Sequence, residues 1–311
     1  MNTDTLVWIY TYRFESACLP IVDDKYALKK CPSCNKGKLR QETDVLDTWF
    51  SSALWPFVIL GWPKKTRDLK EFYPNHFISS DRNIVNLWIA RMIFSGLEFM
   101  KTAPFKTAYI HATILTKTGQ RMSKSLGTGI NPLELIEKYG SDATRFGLIW
   151  QTTGVQDIRF DENNIVMGKK FCNKIWNATR FVLQQTANSK LKAQSSNLRP
   201  KAQNLTKADK EIIKNLDKTI KSVDKNIENF QFGQAAQTLY HFFWHDFCDI
   251  YIEKSKSQKE KENTKKILLY VLLTSLKLLH PFMPFITEEI YQRLSLKRKK
   301  RFLMVETCPK L

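Results

Sequence analysis

The sequence predicts an α/β domain followed by an all-α helical bundle. Three observations predict it. A strand, an apolar helix and a second strand alternate between His76 and Ile110. A glycine-flexed basic loop around Arg121 to Gly127 then runs into a plainly written helix start at Asn131. Beyond about residue 161, apolar residues repeat at three- and four-residue steps with little strand chemistry.

Composition sets the bounds. The 311 residues suffice for two ordinary domains, and a hydrophobic content of 43% predicts a folded chain. Forty-nine Lys and Arg against 30 Asp and Glu leave a formal charge of +19. That excess favours a phosphate-backbone partner, the alternative being a scattered basic surface. No apolar run approaches the roughly 18 residues of a membrane span, and no secretory signal opens the chain, so no membrane partner is expected. Six irregularly spaced cysteines do not spell a secreted disulfide scaffold, which makes a reducing cytoplasm the expected location.

In chain order, residues 1–43 read as a remnant zinc-knuckle-like insertion. Cys31-Pro32-Ser33-Cys34 sets two thiolates on one tight turn. Structural zinc takes four ligands, and Cys18 and Glu15 complete the set poorly, so bound zinc competes with a vestigial knuckle of two free thiols. Residues 44–160 form the α/β part. Asp47 or Thr48 can cap a short helix through Trp49, Phe50, Ala53 and Leu54 that is expected to end near Pro56. His76 to Ser80 reads as a buried strand. Asn83 to Met100 is apolar almost all round and is expected in an interior. A further strand begins at Tyr109. This βαβ unit places the turn at Ser79 to Asn83 and the basic loop at the carboxyl ends of neighbouring strands, where open α/β sheets bind ligands.

The basic loop is Arg121-Met122-Ser123-Lys124-Ser125, followed by Leu126-Gly127. Cationic heads and hydroxyls on a flexible loop beside a helix N-terminus suit a polyanion such as a triphosphate. Asn131 fits the N-cap, Pro132 the first helical position and Glu134 the third, where it can reach back to free N–H groups; Gly140 fits the stop.

Residues 161–311 read as helices. The first runs from Ile165 to about Thr186, and a polar linker spans 188–205. Thr206 with Asp209 starts a second helix whose seam is Ile213, Leu216, Ile220, Val223 and Ile227. The third runs from about Phe232 to Lys254, the fourth from Lys261 to His280, and a short last one follows Pro284. His241, His245 and Cys248 share a face of the third helix, as a metal site or as bundle packing, with no fourth ligand in view. Lys297 to Arg301 is either a solvated run or a contact to RNA phosphates.

The segment His111 to Gly147, with RMSKS at its centre, resembles the second signature region of class I aminoacyl-tRNA synthetases. The string DTWFSSALWPF from Asp47 and the segment FCNKIWNATRF from Phe171 resemble the valine–tRNA ligase family within them. The resemblance runs from about Cys31 to Val305, and the related isoleucine–tRNA ligases are the near alternative. It implies a Rossmann-type catalytic domain, here its C-terminal half, ahead of an anticodon-binding bundle. It also implies ATP-dependent valine activation, with magnesium accompanying ATP, and transfer to tRNA(Val). Carried over by position, Lys124 contacts ATP with help from Arg121, Ser123 and Ser125, His111, Asn83 and Asp81 belong to the ATP site, and Trp49 shapes the amino-acid pocket.

Departures from the pattern are local. Asn83 stands where the family carries an aspartate, Asp81 where it carries a glycine, Arg121 for the usual lysine and Thr128 for the usual asparagine. The first signature, His-x-Gly-His, does not occur, nor does the editing insertion. The expectation is therefore a gene fragment or split subunit, inactive alone. It would need a separate chain carrying the N-terminal half and the editing domain, or would persist as a non-catalytic tRNA-binding module.

Overall fold

A computed structural model of the chain describes residues 9–10, 21–22, 47–123, 127–152, 154, 156–186, 200, 205–258, 261–294, 296 and 300–309. The backbone divides into two compact units, Met1–Ala108 and Tyr109–Leu311.

In the first unit, β1 (Ile9–Tyr10) pairs antiparallel with β2 (Ile21–Val22). Helix α1 (Thr48–Val58) starts on Asp47, whose carboxylate accepts from Trp49 N–H at 2.7 Å. It ends at Val58, with Pro56 inside its last turn. The missing proline N–H leaves the Ser52 carbonyl without its helical donor, and Trp88 Nε1–H donates to that carbonyl at 3.2 Å. A donor from another helix thus lets α1 pass through the proline. After α2 (Arg67–Phe72), strand β3 (Asn75–Asp81) pairs with β4 (Phe105–His111). The second strand therefore opens at Phe105, four residues earlier than the sequence pattern predicts.

Between the strands a helical run winds through a 3₁₀ turn (Arg82–Ile84), π-helical Val85–Ile89, α3 (Ala90–Ser95) and π-helical Gly96–Met100. It is not wholly interior. Ile89 and Met92 are buried with Phe105, but Phe94 is 60% and Leu97 49% exposed.

The second unit carries β5 (Ile114–Leu115), parallel to β6 (Ile158–Arg159), with α4 (Pro132–Tyr139) and α5 (Ser141–Trp150) between them. The bundle follows: α6 (Asn163–Thr186), α7 (Lys207–Glu228) and α8 (Phe232–His241), which continues through π-helical Phe242–Ile252 into α9 (Glu253–Lys256). Helices α10 (Lys261–Leu279) and α11 (Pro284–Arg293) complete it. Its core joins Phe171, Ile175, Leu216, Ile220, Phe243, Phe247, Leu272 and Ile290. Helix α7 starts on a capping box, Thr206 and Asp209 each satisfying the other's backbone N–H.

Close backbone approach seats α5 on α6. A Cβ at Gly168 would lie 2.6 Å from the Ala143 carbonyl oxygen, so only glycine fits there. Asp142, buried in α5, accepts from Phe285 N–H at 3.3 Å and Ile286 N–H at 2.6 Å. It caps α11, whose own N-cap residue, Met283, provides no side-chain bond.

Candidate functional site

The basic loop grows out of a small, over-determined hairpin. Phe160 N–H donates to Leu115 and Ile158 N–H to the Thr113 carbonyl, which fixes β6 beside β5. Beyond Leu115 the chain turns tightly. Thr116 N–H donates to Gln120, Gly119 N–H to Thr116, and Gln120 N–H to the Thr116 hydroxyl. Gly119 sits at φ 86°, the left-handed region that glycine tolerates. Leu115 and Arg121 then form an antiparallel bridge that brings the chain back.

Two anchors hold the loop's ends. Met122 packs against the cluster of Leu135, Ala143, Phe160 and Ile165. Ser123 and Thr128 clasp each other: Ser123 N–H donates to the Thr128 hydroxyl at 2.9 Å, and Thr128 N–H donates to the Ser123 carbonyl at 3.2 Å. Arg121 is exposed beside this clasp. Lys124 and Ser125 lie outside the described residues. So do Cys31 and Cys34 of the candidate zinc knuckle.

The helix start after the loop is built as its residues predict, with one difference. Asn131 accepts from Leu133 N–H at 3.0 Å, and its amide donates to Glu134 Oε1 at 3.2 Å. Glu134 therefore braces the cap side chain instead of reaching the backbone. With the cap filled and a carboxylate in the first turn, the α4 terminus has little positive potential to offer a polyanion.

His111 ends β4 and is exposed. Its Nδ1 lies 3.1 Å from the Ala112 carbonyl, an acceptor that calls for a proton on Nδ1. In the first unit, Asp81 ends β3 and caps the helical run after it. Asn83 donates to Asp81 Oδ1 through its backbone N–H at 2.7 Å and again through its side-chain amide. The two substituted positions thus act as a pair, with the carboxylate steered by the amide two residues on. Trp49 lies in the first turn of α1.

Sequence reasoning missed three contributors. Thr128 registers as a departure from a pattern, not as a clasp; Met122 as a loop residue, not as an anchor. The Arg159 guanidinium, about which the sequence is silent, runs alongside Gly119. On the third bundle helix, His245 Nδ1 lies 3.2 Å from Asp249, which also pairs with Lys174 at 2.7 Å. Burial pushes the Cys248 thiol up to about 12. Among the described residues no three His, Cys, Asp or Glu side chains gather as a metal site. No helix among them is long and apolar enough to cross a membrane.

Comparison with known proteins agrees with this layout. Residues 13–161 match the family profile of class I tRNA synthetases (I, L, M and V), and residues 209–311 match the anticodon-binding domain of tRNA ligase. The chain is 48% identical over 270 residues to a valine–tRNA ligase of Thermotoga maritima and 47% over 269 residues to one of Clostridium tetani. These alignments take in 86% and 85% of this chain but 30% of each relative. Its fold is similar to that of LeuRS from Agrobacterium radiobacter, solved as a LeuRS–tRNA–LeuAMS ternary complex. The TM-score is 0.68 at 20% identity, over 85% of this chain and 33% of that one. Against methionyl-tRNA synthetase of Mycobacterium tuberculosis, bound by methionyl-adenylate, the TM-score is 0.58 at 18% identity, over 75% and 46%.

Proposed function

We propose that this chain, which belongs to the valine–tRNA ligase family of class I aminoacyl-tRNA synthetases, supplies the phosphate-binding loop and the tRNA-binding bundle of a valine-activating enzyme. The chain spans 30% of the length of the relatives compared. The remaining parts of the site, in the same polypeptide or a separate one, complete the reaction. In the first step a valine carboxylate oxygen bonds to the α-phosphorus of ATP as the bond to the β-phosphate oxygen breaks and pyrophosphate leaves. In the second, the terminal ribose hydroxyl of tRNA(Val) attacks the valyl carbonyl and AMP departs.

The observation that carries this reading is the Ser123–Thr128 clasp. It joins the two residues that bracket Lys124 and Ser125 in the sequence. Lys124 then neutralises charge building on the leaving pyrophosphate, helped by Arg121 and the hydroxyls of Ser123 and Ser125. His111, Asp81 and Asn83 hold the nucleotide, and Trp49 lines the amino-acid pocket. Magnesium would accompany ATP and add to the charge neutralisation on the triphosphate.

The test is Lys124→Ala in the enzyme completed with a chain that carries the first signature. Losing one preorganised charged donor is expected to slow single-turnover adenylation by about 10²- to 10³-fold, with tRNA affinity nearly unchanged. Lys124→Arg keeps the charge in a wider fork and is expected to lose part of the rate. An alanine variant running within about twofold of the parent, as for an ordinary surface charge, sinks the reading.

A further inference from the structure

Six lysines of α7 take no part in its core. Lys207, Lys210, Lys214, Lys218, Lys221 and Lys225 are all exposed and recur at steps of three and four residues. At 3.6 residues per turn they fall within a sector of about 80°. The opposite face buries Ile212, Leu216, Ile220 and Val223. The carboxylates Glu211, Asp217 and Asp224 stand outside the lysine sector, Glu228 falls on its edge beyond the last lysine, and Glu211 is met by Lys254 at 3.4 Å. At a 1.5 Å rise per residue the row is about 27 Å long.

The rod that carries it is firmly seated. Its capping box fixes the first turn, and Tyr251 donates to buried Asp209 at 2.8 Å. The Cβ atoms of successive lysines therefore recur about one helical turn apart, roughly 5–6 Å. That repeat is comparable to the step between neighbouring phosphates on a nucleic-acid strand.

We infer that the lysine row of α7 is a docking rail for the sugar–phosphate backbone of tRNA, engaging consecutive phosphates of one strand. The inference rests on the proposed role with tRNA and assigns it a surface. Each lysine acts as a point charge, so the rail sets affinity and orientation and reads no base.

The experiment compares binding of labelled tRNA by the full chain between 50 and 200 mM salt. One variant carries Lys210→Gln, Lys214→Gln, Lys218→Gln and Lys221→Gln. A charge-matched control carries Lys64→Gln, Lys65→Gln, Lys70→Gln and Lys106→Gln. Glutamine keeps the helix propensity of lysine, and thermal melts by circular dichroism check each fold. The rail variant is expected to bind at least about tenfold more weakly at 100 mM salt. Its log–log salt slope should fall by about 3, the release from four phosphates. The control should keep the parent's slope. A rail variant that binds like the parent overturns the inference and leaves the proposed function standing. An equal loss in the control overturns it too, since the attraction would then be to net charge. Polyglutamate displacing tRNA at matched charge concentration overturns it in favour of an acidic protein partner. A parent chain that binds no tRNA even at 50 mM overturns both the rail and the proposed function.

Discussion

Thr128 does at residue scale what the loop needs: its hydroxyl takes the Ser123 N–H while its own N–H meets the Ser123 carbonyl. Thr128→Val keeps the shape and the second bond but strands the Ser123 N–H. That costs about 1–2 kcal/mol locally, so the Ser123 amide should exchange roughly tenfold faster with solvent. Thr128→Asn brings back an acceptor and should exchange more slowly than the valine variant. Unchanged exchange in Thr128→Val would remove the clasp from the account. At this scale the sequence is legible wherever chemistry is local. Asp47, Asn131 and Thr206 cap helices within two or three residues of themselves, and each does so in the structure. The Asp81–Asn83 pair lay within the same reach. It stayed unread because the pattern invited a choice between two residues that in fact bond to each other.

Elements fail to be legible when their support comes from afar. Pro56 reads as a helix end because the proline removes a donor, and nothing near it in sequence supplies another. The donor is Trp88, 36 residues on, whose indole N–H reaches the Ser52 carbonyl. Trp88→Phe preserves most of the ring's packing and deletes that bond. The expected loss is about 1–3 kcal/mol, read in urea unfolding by the intrinsic fluorescence of the remaining tryptophans. A midpoint equal to the parent's would mean that α1 crosses Pro56 without help. The bundle helices, by contrast, carry their own periodicity. The spacing of Leu216, Ile220 and Val223 marks a buried stripe, and all three are buried. Ile213, at the stripe's edge, and Ile227, in the last turn of α7, are only half-buried.

Over the whole molecule, order along the chain was readable and closure was not. Helix follows helix as the repeats predict, but the contacts that shut the second unit join residues more than a hundred positions apart. Asp142 caps α11, and Arg145 donates to the Pro281 carbonyl at 3.0 Å. The end of the described chain is tied down likewise. Glu306 accepts from Lys277 at 3.1 Å, from Tyr291 at 2.7 Å and from Lys300 N–H at 3.2 Å, with only 6% of its side chain exposed. Burial alone would raise its carboxyl, but the three donors hold it below the usual glutamate range. The unfolded chain therefore takes up this proton at a higher pH than the folded one. The stabilisation is complete above the ordinary glutamate value of about 4.3 and is lost as pH falls through the lower folded value. Glu306→Ala removes the carboxylate that Lys277, Tyr291 and Lys300 N–H share, leaving Lys277 on the Thr307 carbonyl and Tyr291 on the Lys300 carbonyl, and should cost about 1–3 kcal/mol at pH 7. Glu306→Gln keeps an acceptor and should cost less. Unfolding followed from pH 7 down to 3 should show the gap between parent and Glu306→Gln narrowing below about pH 4.3. A gap that stays constant through that window would mean the carboxylate's charge contributes nothing to the closure.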